Sequence, residues 1–306
     1  MKVAVTGATG LIGCALVREL VVRGDEVTAL SRNAGRARAK LGVDASAWER
    51  PTLDRPSPDS LRGRDGVVNL LGEPLAQRWT EDAKREIRDS RILGTRNLVD
   101  AMADLPEGER PGVLVSQSGI DWYGARGDER VDESEPPASG FIAQLTVDWE
   151  AEARRAEQLG VRVFTTRTGV VLSPSGGALE RMLPPFRLGV GGRVAGGSQY
   201  VSWIHLDDVV GALAFCLHTD APGGPVNVTA PEPVTNRDFS KALGRVLRRP
   251  AVLPVPALAL KVLYGEMSVV VTTGRRAVPA RLLELGYEFR QPDLEDALRD
   301  AVAGRA

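Results

Sequence analysis

Cysteine and histidine are nearly missing from this chain, with two of each in 306 residues. Cys14 and Cys216 lie far apart and form no C-x-x-C pair, which excludes a disulfide scaffold and a zinc ribbon. Both stand in apolar, helical-looking surroundings and read as small buried hydrophobes. His205 and His218 alone leave little for metal chemistry, so no metal site is expected. Aromatic residues are only 5% of the chain, too few for a platform that stacks single-stranded nucleic acid. Neither sign of charge dominates, since 39 Lys and Arg face 40 Asp and Glu. A nucleic-acid binder would show a basic excess. A disordered chain would combine high net charge with low hydrophobicity, whereas this one is 43% hydrophobic. No apolar run approaches the ~20 residues of a membrane span. Met1 leads into a strand rather than a signal peptide. The expectation is a cytoplasmic protein that acts on a small molecule, with neither nucleic acid nor membrane as partner.

Turn-forming residues are plentiful, with 33 Gly and 20 Pro. Lys2–Thr6 (KVAVT) is β-branched and predicts a buried strand. Residues 13–23 carry Leu16, Val17, Leu20 and Val21 at helical spacing, and 26–30 (EVTAL) is a second strand. This strand–helix–strand unit predicts a parallel pair with a right-handed crossover. Further strands fit 66–71, 112–116, 161–166 and 225–229, with helices at 81–105, 141–159 and 206–217. Such alternation predicts an α/β fold, a Rossmann-type doubly wound parallel sheet. The stretches 36–40 and 49–64 look like surface connections, and the third strand that belongs near them has no clear signal. Residues 173–197 are rich in Gly and Pro, and 231–306 returns to helical patterns. The predicted organisation is a nucleotide-binding domain of 1–172 and 203–230. A small C-terminal substrate lobe of 173–202 and 231–306 packs beside it.

Gly7, Gly10 and Gly13 form G-x-x-G-x-x-G between a strand and a helix. Glycines keep such a turn tight and let backbone N–H groups approach a diphosphate, while the helix N-terminus adds positive partial charge. Gly7, Thr9, Gly10, Leu11 and Ile12 are the expected contacts of this turn. A carboxylate at the end of the second strand would favour NAD by binding the ribose 2′-hydroxyl. This chain has Ser31-Arg32 there, 19 residues after Gly13. A guanidinium fits a 2′-phosphate, so NADP is the expected cofactor.

These motifs resemble the extended short-chain dehydrogenase/reductase superfamily. The resembling segments include TGATGLIG at 6–13, NLLG at 69–72 and a serine-containing turn ending in Tyr123-Gly124. The segments 69–78, 141–150, 167–172 and 202–208 resemble an atypical epimerase branch, also labelled cell-division-inhibitor-like. Residues 253–298 are similar to its C-terminal segment of unknown function. The cell-division label follows from no residue here. The resemblance implies a Rossmann-type sheet and NADP binding. Standard members transfer a proton through Tyr-x-x-x-Lys. Here Ile142 takes the Tyr place and Thr146 the Lys place, and neither can do that work. Ser118 is the counterpart of the superfamily's catalytic serine, with Ser116 as the alternative because the turn is one residue longer than usual. Tyr123 is either a substitute proton donor or a packing residue. Leu71, Gly72 and Glu73 follow the fourth strand, at the sheet edge where ligands bind. Lys84, Arg88 and Arg91 share one helix face, and Arg91 is read as a cofactor contact. Arg167 and Gly169 are expected to approach the nicotinamide. His205 and Asp207 read as structural, with Asp207 capping the next helix. The expected function is an NADP-dependent oxidoreductase or epimerase-like enzyme on a small polar substrate. The alternative is an NADP(H)-binding regulatory or redox-sensing protein without turnover.

Overall fold

The computed structural model describes residues 1–304. Seven strands form the main sheet: β1 (Lys2–Thr6), β2 (Glu26–Ser31), β3 (Asp44–Ala47), β4 (Gly66–Asn69), β5 (Val113–Gly119), β6 (Arg162–Thr168) and β7 (Gly224–Val228). All pairings are parallel, in the spatial order β7-β6-β5-β4-β1-β2-β3. The order reverses between β1 and β4, which opens a crevice at the carboxyl ends of those two strands.

Period-two patterning explains why the sheet is covered on both faces. Val3 and Val5 of β1, Val68 of β4, and Val113 and Val115 of β5 enter one core. Helices α1 (Leu11–Val22) and α6 (Leu206–His218) cover that face. Ala4, Val67 and Leu114, the alternate residues, face α3 (Glu81–Ala103). Helix α4 (Phe141–Arg154) lies beside α3. Between them in sequence, α2 (Ala34–Leu41) follows β2, and α5 (Gly177–Arg187) follows β6.

The third strand lies at Asp44–Ala47, whose sequence DASA has no β-branched residue. The backbone pairing with β2 holds it, from Thr28↔Asp44 to Ser31↔Ala47. Residues 36–40, expected as a surface connection, belong to α2. Asn33 caps that helix by accepting from the Arg36 N–H at 2.9 Å. The strand expected at 66–71 ends at Asn69. The helix expected to run to 159 changes to a tighter helix at Arg155–Leu159.

Residues 170–205 and the C-terminal segment share a second core around Leu183, Phe186, Trp203, Phe239, Leu243 and Leu298. This core involves α7 (Asn236–Leu247) and α11 (Leu294–Ala303). Between these lie α8 (Ala257–Tyr264), α9 (Ser268–Thr272) and α10 (Ala280–Glu284). Buried Asp208 ties the segment to α6. It accepts the N–H groups of Arg290 at 2.7 Å and Gln291 at 2.9 Å, and the Tyr287 hydroxyl at 3.2 Å. Among the described residues no helix is long and apolar enough to cross a membrane.

Candidate active site

A groove of about 1080 Å³ runs along the carboxyl edge. It is lined by Gly7, Thr9, Gly10, Ser31 and Arg32, by Leu70, Leu71, Gly72, Glu73 and Ser90, and by residues 48–53. The glycine turn is shaped for close approach. Gly7 has φ +61°, and a Cβ there would run into the Leu70 carbonyl oxygen. A Cβ on Gly13 would run into the Gly7 carbonyl, so Gly13 lets α1 start tight against β1. Leu11 and Ile12 open α1, where the first N–H groups have no intrahelical acceptor. Lys40 steadies the loop by donating to the Thr9 carbonyl at 2.9 Å.

Arg32 is exposed at the groove mouth, and its only ion-pair partner among the described residues is Glu73 at 3.9 Å. An exposed pair at that distance is weak, so an arriving phosphate can displace it. The Glu73 N–H is pinned to the Ser90 hydroxyl at 3.0 Å, which fixes the loop after β4 against α3. Arg91 lies below that loop. Its guanidinium sits under Gly72, stacks on Trp149 at 5.2 Å and donates to the Ile87 carbonyl at 3.1 Å. Burial pulls its pKa down to about 10, against support from the Glu73 and Asp121 carboxylates.

The strand interior beneath is a closed polar network. Thr6 donates to the Asn69 Oδ1 at 2.8 Å. Asn69 donates to the hydroxyls of Thr95 at 2.9 Å and Ser116 at 3.2 Å. Ser116 is thereby committed to fastening β4 to β5. Ser118 is 3% exposed and donates to the Glu150 Oε1 at 2.7 Å.

Glu150 also takes Arg167 in a fork, through Nε at 2.8 Å and Nη2 at 3.1 Å. Burial works against the charge of Arg167, and the Glu150 bonds more than restore it. Its plane stacks on Trp122 at 3.8 Å. Arg167 therefore does not reach the groove; the expected cofactor contact is a buried ion pair instead. Tyr123 is fully buried, donates to Asn227 at 2.8 Å and accepts from Arg167 at 3.0 Å. Burial pushes its phenol up to about 12, opposed by Arg167 and Asn227. In this structure it fills a packing position with both hydrogen bonds spent inside the protein. Gly169 is also explained by packing, because a Cβ there would run into the Ser202 carbonyl oxygen. His205, not Asp207, caps α6: its Nδ1 accepts the Asp207 N–H at 3.2 Å.

One group at this edge escaped the sequence reading. Asp121 follows the end of β5, and its Oδ1 accepts from Arg275 Nη1 at 2.7 Å. The other oxygen, Oδ2, has no protein partner among the described residues. It lies 3.4 Å from where a Cβ on Gly119 would be, and Thr146 Cγ2 lies 3.8 Å from that same point. The carboxylate thus stands beside the Thr146 face of α4, which carries neither tyrosine nor lysine. The Thr146 hydroxyl itself donates to the Ala143 carbonyl at 2.7 Å. Arg275 comes from the C-terminal segment, a partner far away in sequence, and no local motif could have announced the pair. That segment also meets the start of α3 and the loop before it, through Lys84–Glu266 at 2.6 Å and through Arg78, which donates to the Val262 carbonyl at 3.0 Å.

Residues 3–229 match the NAD dependent epimerase/dehydratase family, and residues 255–301 match a domain of unknown function. The chain belongs to the NAD dependent epimerase/dehydratase family. An epimerase family protein of Mycobacterium bovis is 41% identical, covering 97% of this chain and 96% of that protein. The chloroplastic SDR39U1 homolog of Arabidopsis thaliana is 39% identical over 98% of this chain and 86% of its own length. The crystal structure of human epimerase family protein SDR39U1 with NADPH superposes with a TM-score of 0.88 at 34% identity, covering 99% of each chain.

Proposed function

We propose that this chain binds NADP(H) in the groove and exchanges a hydride with a small polar substrate held between the sheet edge and the C-terminal lobe. The observation that carries the reading is the glycine cradle facing an exposed, weakly paired Arg32. The residues fit the cofactor: glycines at 7 and 13 let the turn pack tightly on Leu70 and on itself, Gly7, Thr9 and Gly10 line the groove, and the helix N-terminus presents free N–H groups to a diphosphate. Arg32 stands where a carboxylate would have favoured NAD. The human SDR39U1 crystallised with NADPH supports the same choice. When bound, the nicotinamide supplies the hydride chemistry. The protein supplies position and a proton acceptor. Asp121 Oδ2, whose partner oxygen is held by Arg275, would accept the proton of a substrate hydroxyl. Returning the proton in the reverse step suits an epimerase-like cycle. Arg275 positions that carboxylate. A cytoplasmic setting belongs to this reading, although the plant relative is named as chloroplastic.

A second reading has its own support. Ser118 and Tyr123 are both spent on buried partners, which suits an NADP(H)-binding sensor without turnover. Calorimetric titration tests the shared part. NADPH is expected to bind at least roughly tenfold more tightly than NADH, and Arg32→Ala to remove most of that preference. Equal affinities would sink the Arg32 argument. NADPH consumption against a broad pool of carbonyl metabolites then separates the two readings. Where turnover is found, Asp121→Asn should slow it by about a hundredfold or more with NADPH affinity intact. Binding without any turnover favours the sensor.

A further inference from the structure

Helix α8 has the sequence ALALKVLY, apolar apart from Lys261, and none of its eight residues is buried. A helix that is apolar on all sides is normally enclosed by the rest of its protein. Here Leu258, Val262 and Leu263 are 72%, 66% and 64% exposed. Two neighbouring segments extend the apolar surface. Val252 and Leu253 precede the helix, Leu188 and Val190 follow α5, and all four are exposed. Backbone contacts join these segments into one face. Arg249 Nε donates to the Arg187 carbonyl at 3.1 Å. The Val255 N–H donates to the Arg193 carbonyl at 2.8 Å, and its carbonyl accepts the Ala195 N–H at 2.9 Å. Gly192 lies so close to Leu253 that a Cβ there would run into the Leu253 carbonyl oxygen.

The charge on this face has one sign. The whole chain balances 39 Lys and Arg against 40 Asp and Glu, yet residues 181–206 and 239–265 together hold eight Lys and Arg and not one Asp or Glu. The acids bordering the second stretch are engaged elsewhere. Asp238 lies 3.9 Å from Lys241, and Glu266 lies 2.6 Å from Lys84. Glu295 pairs with Arg245. Arg187, Arg248, Arg249 and Lys261, beside the apolar side chains, are exposed and have no ion-pair partner among the described residues. A second copy seated on the same patch would set these cations against themselves, which disfavours an isologous dimer. An anionic lipid surface complements both features, since apolar side chains enter the boundary between headgroups and acyl chains while cations meet the phosphates.

We propose that the face formed by α8 and the segments 187–190 and 248–253 docks on an anionic lipid surface. Leu258, Val262 and Leu263 enter the interface, and Arg187, Arg248, Arg249 and Lys261 meet the headgroups. Eight residues are too few to span a bilayer, so the helix lies on it. The lack of a membrane-spanning helix bears on crossing a bilayer and says nothing about docking on one.

Flotation of the full chain with lipid vesicles tests this. Vesicles of phosphatidylcholine mixed with phosphatidylglycerol should carry the protein up the gradient, and phosphatidylcholine alone should bind it at least roughly tenfold more weakly. Leu258→Ser with Leu263→Ser should weaken binding to the anionic vesicles by about a hundredfold. Arg249→Gln with Lys261→Gln should weaken it by roughly thirtyfold at low salt. All four side chains are exposed, so the urea midpoints of both variants should match wild type. Should either midpoint fall, Leu188→Ser with Arg187→Gln makes the same removal on the neighbouring segment. No flotation with the anionic vesicles overturns the proposal. Equal flotation with both vesicle types overturns it too, because charge then plays no part. Wild-type flotation by either folded variant also overturns it, because it places the contact elsewhere. Sedimentation equilibrium tests the other occupant: a wild-type dimer that Leu258→Ser with Leu263→Ser makes monomeric, with no vesicle binding, gives the face to a second copy and overturns the lipid assignment.

Discussion

The two stretches of the carboxyl edge are built on opposite terms. From the glycine turn to Arg32 the edge is open. Its arginine has one weak partner, and the first N–H groups of α1 have no intrahelical acceptor. At the ends of β5 and β6 the edge is closed, apart from the free Oδ2 of Asp121. Ser118, Glu150, Arg167, Tyr123 and Asn227 satisfy one another in a chain of buried hydrogen bonds. The difference teaches where ligand recognition resides. A binding surface must keep its hydrogen-bonding capacity free, whereas a scaffold consumes it. Arg32 just after β2 and Arg167 near the end of β6 are the same residue type with three strands between them, and only the first lacks strong partners.

The largest expected effect tests the closed end. Arg167→Leu leaves Glu150 buried without its cation, and breaking a buried pair in this way costs about 3–5 kcal/mol. Urea denaturation should show that loss in the midpoint, while the protein that remains folded binds NADPH as before. An unchanged midpoint, or a loss of NADPH affinity, would join the two ends and break the comparison.

Next comes the open end. Gly7→Ala forces a side chain into a backbone conformation with φ +61° and against the Leu70 carbonyl. The left-handed conformation and the overlap together should cost about 3 kcal/mol. Here the loss of stability should come with loss of NADPH binding, unlike Arg167→Leu. An alanine variant that still binds NADPH with wild-type affinity would show that the turn is not the cradle.

The same contrast explains what was readable from the chain. The strands β1, β2 and β4 and the glycine turn are local patterns: β-branched runs, glycine spacing, an arginine at a set distance. Local patterns survive in one dimension. The strand DASA has no such pattern, because its identity comes from pairing with β2. Arg167 and Tyr123 are near the right strands, yet Arg167 is oriented by Glu150 and Trp122, and Tyr123 by Asn227 and Arg167, each from another segment. Asp121 was missed for the same reason: its meaning depends on Arg275, 154 residues later. The nucleotide half of the site is thus written in adjacent residues. The reacting half is written in pairings, and the loss of Tyr-x-x-x-Lys could be seen without showing what stands in its place.

The smallest expected effect probes the closed end by pH. Tyr123→Phe removes the hydroxyl between Asn227 and Arg167, and leaving those partners short should cost about 1–2 kcal/mol at neutral pH. Burial raises the phenol to about 12 in the folded protein, against about 10 in the unfolded chain. A group raised on folding contributes stability that is complete below its unfolded pKa and is lost as pH climbs through the folded one. Wild-type stability should therefore fall between about pH 10 and pH 12, and Tyr123→Phe should fall less steeply across that window. Some of the slope should remain, because burial raises Tyr287 as well. Urea titrations at stepped alkaline pH give both curves. Parallel curves would mean that the Tyr123 phenol ionises as freely in the folded protein as in the unfolded one. In that case the ends of β5 and β6 are open to solvent, and Tyr123 returns as a group able to exchange protons with a substrate.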